Sequence, residues 1–306
     1  MTAPAERNLP RGVKATTGDV FDPDEHYIYF LAGDATALLA TPHPQVLVAV
    51  NELRSRASWD RFDRLLDTRR VLLDSGIFNL AMEHARKHNT SHDVGLSMPP
   101  EEIDGFDRLW DGYGEVVTRF GDRLWGAIEL DQGGMGHKPR TRARIEEEFG
   151  IVPIPVYHPL LDGWDYYDTL ARGYDRICVG NIVKASQPVR LRLMWTAAER
   201  ARAYPYLWTH LLGATPNQNL IAMAHRGSSD SSSWVTNRRW MPSWRSFAML
   251  TSVASFPPDM WLDVDNHVKG GDLNAARRGA DGVSANSAYA QHLMMGTMRG
   301  DTHPWL

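Results

Sequence analysis

Apolar runs that each hand an acidic residue to a turn of small residues recur along this chain, and they restrict its fold more than any other feature. Val71-Leu72-Leu73 leads into Asp74-Ser75-Gly76, and Trp125-Gly126-Ala127-Ile128-Glu129-Leu130 leads into Asp131-Gln132-Gly133-Gly134. A third run, Leu220-Ile221-Ala222-Met223-Ala224, reads as a short buried strand, followed by Asp230 among serines and then by Arg238 and Arg239. Short continuous apolar runs bounded by turn residues are the mark of strands buried on both faces. Three such strands, each delivering an aspartate, imply a barrel-like enzyme with carboxylates gathered at one rim.

Other elements fill in around these three. Strands are expected at 27–33, 45–50, 151–157, 176–181 and 209–213. Helices are expected at 51–67, 103–120, 141–149 (with Gly150 as its stop) and 166–173, and another begins in 196–203. Strand and helix patterns alternate, as in βαβ units around a parallel sheet. About seven strands without a Gly-x-Gly-x-x-Gly loop favour an α/β fold of the (β/α)8 TIM type over a dinucleotide-binding fold. At 306 residues one large domain is the expectation, with 1–24 as a loosely structured lead-in and 25–306 as the barrel. From about 240 onward the chain turns to helical patterns at 243–253 and 286–298, read as a closing segment.

No run reaches the roughly 18–20 apolar residues of a membrane span. The polar stretch 1–24 has no signal-like apolar core, so a cytoplasmic protein is expected. The single cysteine, Cys178, excludes an intramolecular disulfide and a cysteine-rich zinc site. The net charge of −4 is unevenly distributed: between Lys184 and Arg245 nine basic residues face two acids, a local balance of +7. Tryptophans and tyrosines, Trp234 among them, are interleaved with these arginines. That mixture suits a phosphate backbone and unstacked bases, and it equally suits a solvated arginine-rich surface over buried tryptophans.

Taken in order, these segments resemble the tRNA-guanine transglycosylase superfamily, and more closely its DNA-directed branch in phages and bacteria, which inserts 7-deazaguanine bases into DNA. Asp74-Ser75-Gly76-Ile77-Phe78-Asn79 is similar to that family's Asp-Ser-Gly-Gly-Phe-Gln motif. Asp131 is similar to its base-recognising aspartate, Val179-Gly180-Asn181-Ile182 to its glycine-rich turn, and Asp230 to its nucleophile. The likeness spans roughly residues 70–240. Ile77 and Asn79 depart from the motif, and one cysteine cannot supply the C-terminal three-cysteine, one-histidine zinc module of the tRNA branch.

The resemblance implies Asp230 as nucleophile and Asp74 as general acid and base. It implies Ser75, Gly76, Phe78, Asp131, Gln132, Gly180 and Asn181 as base-binding, and Trp234, Arg238 and Arg239 as nucleic-acid-binding, with no cofactor and no resident metal. DNA and a free 7-deazaguanine such as preQ0 would be the partners, and a homodimer stays open. The rival readings are a tRNA substrate, a barrel glycoside hydrolase and a non-catalytic nucleic-acid-binding barrel. Locally, Asp74 and Asp230 could also be helix caps and Asp131 a turn residue. His84 and His88, with His92 beyond, have a spacing that could ligate a metal from one helix face, but Asn89-Thr90-Ser91 weakens a helix there and a solvated face is the better reading.

Overall fold

Side chains along the strands point alternately to the two faces of the sheet, and both faces are buried. In a computed structural model that describes residues 9–19, 27–39, 43–214 and 227–232, eight strands form one all-parallel sheet. They are β1 (Tyr27–Ala32), β2 (Gln45–Ala49), β3 (Arg70–Asp74), β4 (Gly126–Ala127), β5 (Val156–Tyr157), β6 (Arg176–Val179), β7 (Trp208–Leu211) and β8 (Gly227–Ser231). Their order is β4-β3-β2-β1-β8-β7-β6-β5, so the first and last strands in sequence are neighbours and the sheet curls. Ile28, Phe30, Leu47, Leu72, Trp125, Val156, Cys178 and Trp208 pack together on the concave face. Tyr29, Leu31, Val46, Val48, Val71, Leu73, Ile177 and Val179 pack outward against the helices.

The helices are α1 (Ala35–Leu39), α2 (Arg56–Thr68), α3 (Ile77–Lys87), α4 (His92–Ser97), α5 (Phe106–Phe120), α6 (Gly134–Phe149), α7 (Trp164–Gly173) and α8 (Gln187–Ala201). α5 shows why they form: Phe106, Leu109, Trp110, Tyr113, Val116, Val117 and Phe120 recur at three- and four-residue steps, and all are buried. α6 starts seven residues before the expected position, because Gly134, Gly136 and Pro139 in its first turns look like a loop in sequence. α8 likewise begins at Gln187, with Pro188 in the first turn, where a proline is tolerated.

This is a mixed α/β chain compatible with a TIM-type fold, but the expected continuous barrel ladder is interrupted between β4 and β5. There, among the described residues, the strands are joined by one parallel bridge, Ile128 with Ile154. A side chain supplies what the ladder lacks: Glu129 accepts the Val156 N–H at 2.6 Å, and Arg142 holds both of its carboxylate oxygens, at 2.7 and 3.1 Å. Such a bidentate buried pair is rigid, and removing one member leaves an unpaired charge.

The segment read as a loose lead-in is partly built into the fold. Lys14 bridges to Tyr174, Thr16 N–H donates to Asp175 Oδ1 at 2.8 Å, and Thr17 N–H donates to Val152 O at 2.8 Å. Arg176, fully buried, lies over the Trp125 ring and donates to the carbonyls of Trp125 and Asp19. These contacts cluster where β4, β5 and β6 begin, which leaves the other end of the sheet for chemistry. Among the described residues no helix is long and apolar enough to cross a membrane.

Candidate active site

Concave-face side chains alternate, so the residue two beyond each apolar plug residue also points inward. Leu72 is followed by Asp74, Cys178 by Gly180, Trp208 by His210 and Ser228 by Asp230. One layer above the plug the lining therefore turns polar, at the C-terminal ends of the strands, where TIM-type enzymes carry their sites. Asp74, Asp131 and Asp230 all line one cavity of about 510 Å³ there, with Ser75, Phe78, Asn79, Leu96, His158, Gly180 and Asn181. That volume lies in the range of roughly 300–1,000 Å³ typical of small-molecule sites.

Asp230 is placed by β8 itself. The expected strand at 220–224 lies outside the described residues; the strand that carries Asp230 is Gly227–Ser231, with no large apolar residue. Its neighbours explain this composition. Trp208 and Phe30 fill the interior beside it, and Ser228 is paired inside, receiving the Trp208 indole N–H at 2.8 Å and meeting His210 Nδ1 at 2.8 Å. Asp230 Oδ1 meets His210 Nε2 at 3.1 Å and accepts the Gly213 N–H at 2.9 Å. Gly213 adopts φ +70°, and a Cβ there would come within 2.7 Å of Val183, so this turn requires glycine. Both of these contacts are to Oδ1, and among the described residues none is to Oδ2.

Asp131 is held through a chain of buried charges. Its Oδ2 lies 2.7 Å from His158 Nε2. The His158 N–H donates to Asp162 Oδ2 at 2.9 Å, and Asp162 accepts Lys138 Nζ at 2.5 Å. Lys138 and Asp162 are almost wholly buried. Burial works to raise the Asp131 carboxyl, but the His158 hydrogen bond and charge, with Lys138 behind them, hold it below its ordinary value.

Among the described residues Asp74 has no cationic partner of this kind. Burial pushes its carboxyl up to about 7, and the charges of Asp131 and Asp230 add to the shift against weaker backbone hydrogen bonds from Gly76 and Ser75. The cavity thus contains one carboxyl poised to carry a proton near neutral pH beside two that are each paired to a histidine.

Of the other expected base-binding residues, Ser75, Phe78, Gly180 and Asn181 line the cavity. Phe78 is 40% exposed, with Lys184 Nζ 5.4 Å from its ring centroid. Asn181 Nδ2 donates to Asp93 Oδ1 at 3.0 Å. Gly76 and Gln132 are not on the wall. Gly76, at φ +83°, makes the turn into α3. Gln132 is fully buried and its amide nitrogen lies within hydrogen-bond reach of the carbonyls of Gly95 (2.7 Å), Leu96 (3.2 Å) and Met98 (2.7 Å), so it ties α4 down rather than reaching a ligand. Trp234, Arg238 and Arg239 lie outside the described residues. Sequence reading overlooked His158 and His210. His210 carried a signal, since it stands two residues after Trp208 in a strand and therefore faces inward. The signal for His158 was its place at a strand end before Pro159.

No protein-family model matches this chain, and no curated protein matches its sequence.

Proposed function

We propose that the protein is a base-exchange transglycosylase that replaces guanine in DNA by a 7-deazaguanine base, built on a (β/α)8 barrel without a zinc module. One observation carries the reading: Asp74, near pH-neutral protonation, shares a cavity with two histidine-paired carboxylates, Asp131 and Asp230. Cleavage of an N-glycosidic bond through an oxocarbenium-like transition state needs one carboxylate to attack and one carboxylic acid to protonate the departing base.

Asp230 Oδ2 forms the bond to C1′ while the C1′–N9 bond breaks and the electron pair leaves with guanine. Asp74 delivers its proton to the departing base. The incoming 7-deazaguanine gives its N9 proton back to the Asp74 carboxylate and attacks C1′, releasing Asp230. Two inversions retain the configuration at the sugar. Asp131, anionic, accepts N–H groups of the purine, and the Gly180 backbone and Phe78 ring bound the base. A duplex base must be flipped out to reach this cavity, at a cost of a few kcal/mol. The net +7 of the segment from Lys184 to Arg245 supports a polyanionic substrate, and missing zinc-ligand cysteines favour DNA over tRNA.

The test is incorporation of labelled guanine or 7-cyano-7-deazaguanine into DNA and tRNA offered in parallel, with Asp230→Asn and Asp230→Ala beside the wild type. Label entering DNA and lost in both variants is expected. Label in tRNA alone overturns the substrate, and undiminished incorporation by the variants overturns the nucleophile. No incorporation into either, with binding of DNA unaffected by Asp230→Asn, leaves a binding protein.

A further inference from the structure

Away from the cavity, the far end of α3 carries a cluster that the proposed reaction does not use. His84 and His88 lie one helical turn apart, so both rings project from one face, and they stack with centroids 4.2 Å apart at 28°. Asp104, just before the turn into α5, closes the group. Its Oδ2 is 3.1 Å from His88 Nε2 and 3.8 Å from His84 Nδ1. One donor atom from each of the three residues lies within 4.8 Å of the others, and among the described residues no other group of His, Cys, Asp and Glu meets that condition. His92, whose spacing placed it next along the sequence, is not part of the group and is buried at the start of α4, and His84 is buried too where a solvated face was expected.

We propose that His84, His88 and Asp104 bind a divalent transition ion of the Zn²⁺ class. Two imidazoles and one carboxylate are a borderline-soft donor set that suits Zn²⁺, with a fourth, water-filled position toward solvent. His84 is fixed in place, its side chain 5% exposed, whereas His88 and Asp104 are 46% and 53% exposed and free to close in. The place already attracts a cation: Lys87 Nζ sits 2.6 Å from Asp104 Oδ2. Lys87 is 66% exposed on a flexible stem, so a metal ion displaces it into water at little cost. Ligation ties the C-terminal end of α3 to Asp104, two residues ahead of α5, and the other end of α3 carries Phe78 and Asn79 on the cavity wall. The site therefore acts as a metal clamp on the helix that borders the cavity.

The test is Zn²⁺ titration of the full chain, stripped with chelator, followed by calorimetry and by thermal unfolding, with Co²⁺ absorption as a check on nitrogen and oxygen ligation. One equivalent of Zn²⁺ should bind and raise the melting temperature. His88→Ala and Asp104→Asn, both on exposed side chains that fold without them, should weaken binding by roughly 100-fold or more. Lys87→Ala should tighten it, since it frees the carboxylate. The proposal is overturned if no equivalent binds, if binding is undiminished in His88→Ala and Asp104→Asn, or if Lys87→Ala weakens it, which would make the cluster an ion pair and nothing more.

Discussion

Asp74 ends β3 and Asp131 follows the neighbouring strand β4 by four residues, and both line the same cavity, yet their carboxyls move in opposite directions. Burial acts on both. Asp131 has His158 at 2.7 Å, with Lys138 and Asp162 stacked behind it, and is held below its ordinary value. Asp74 has backbone N–H groups and two negative neighbours, and rises to about 7. Charge in this site is thus set by which carboxyl has a histidine hydrogen bond with a buried lysine behind it, and a pair of carboxylates with separated pKa values is the usual basis for dividing nucleophilic and electrostatic roles from acid–base work.

Removing the rising member should have the largest effect. Asp74→Asn can neither donate nor accept the proton, so base exchange is expected to fall by about 10²–10⁴-fold, measured as initial rate of label incorporation. Folding should respond in the opposite sense. Between about 4 and about 7 the native chain holds a proton at Asp74 that an unfolded one, near its ordinary 3.8, has released, so wild-type stability declines as pH rises through that window. The variant lacks this decline and should be more stable than wild type at pH 8 by about 1–3 kcal/mol in denaturant titrations. A variant less stable at pH 8 than at pH 5 by the wild-type margin would show that Asp74 is not the group with the raised value.

Removing the partner of the depressed member tests the other half. His158→Ala leaves Asp131 buried without its hydrogen-bond partner and should cost about 3 kcal/mol of stability at neutral pH. Sign matters here as well. A depressed carboxyl stabilises the native state above its ordinary value and loses that contribution as pH falls through its native one. In His158→Ala the gap between the native and ordinary values of Asp131 narrows, so the acid-side loss of stability should be smaller than in wild type, read from melting temperatures across pH 3–6. An unmoved acid limb would mean that Lys138, not His158, keeps Asp131 charged.

How much of this was legible in the sequence follows from the same physics. Val71–Leu73 and Trp125–Ile128 are apolar because both faces of the sheet are covered there, so Asp74 stood out as the first polar group after a buried run, whereas Asp131 follows Glu129 and stood out by its place before Gln132-Gly133-Gly134. β8 gave no such signal. Its Gly-Ser-Ser-Asp-Ser is small because Trp208 and Phe30 occupy the space beside it, and that is a property of neighbours, not of the strand. Gln132 illustrates the reverse error: adjacency to a site residue does not decide direction, and its amide turns to the carbonyls of Gly95, Leu96 and Met98. His158 and Lys138 were hidden because a charge chain across β4, β5 and α6 has no linear spacing. Asp104, sixteen residues from His88, escaped for the same reason.

Gln132→Leu measures that error directly. It leaves the carbonyls of Gly95, Leu96 and Met98 without their shared donor and should lower stability by about 1–3 kcal/mol in thermal or denaturant unfolding. Because the amide does not face the cavity, the pH at which the exchange rate titrates should stay where wild type has it. A shifted titration with unchanged stability would return Gln132 to the base-binding set.

The smallest effect is expected where the two strand ends touch. Ser75 Oγ is 3.5 Å from Asp131 Oδ1, at the outer limit of a hydrogen bond, and the same oxygen is 3.5 Å from the Ile77 N–H. Bonds this long contribute little. Ser75→Ala should therefore change unfolding free energy by less than about 1 kcal/mol and leave the titration of Asp74 near 7, because neither burial nor the charges of Asp131 and Asp230 depend on that hydroxyl. Stability against pH, followed for Ser75→Ala beside Asp74→Asn, separates the alternatives. If Ser75→Ala reproduces even half of the Asp74→Asn change in slope, the hydroxyl couples the two carboxyls, and the opposite shifts of Asp74 and Asp131 are one linked equilibrium instead of two local environments.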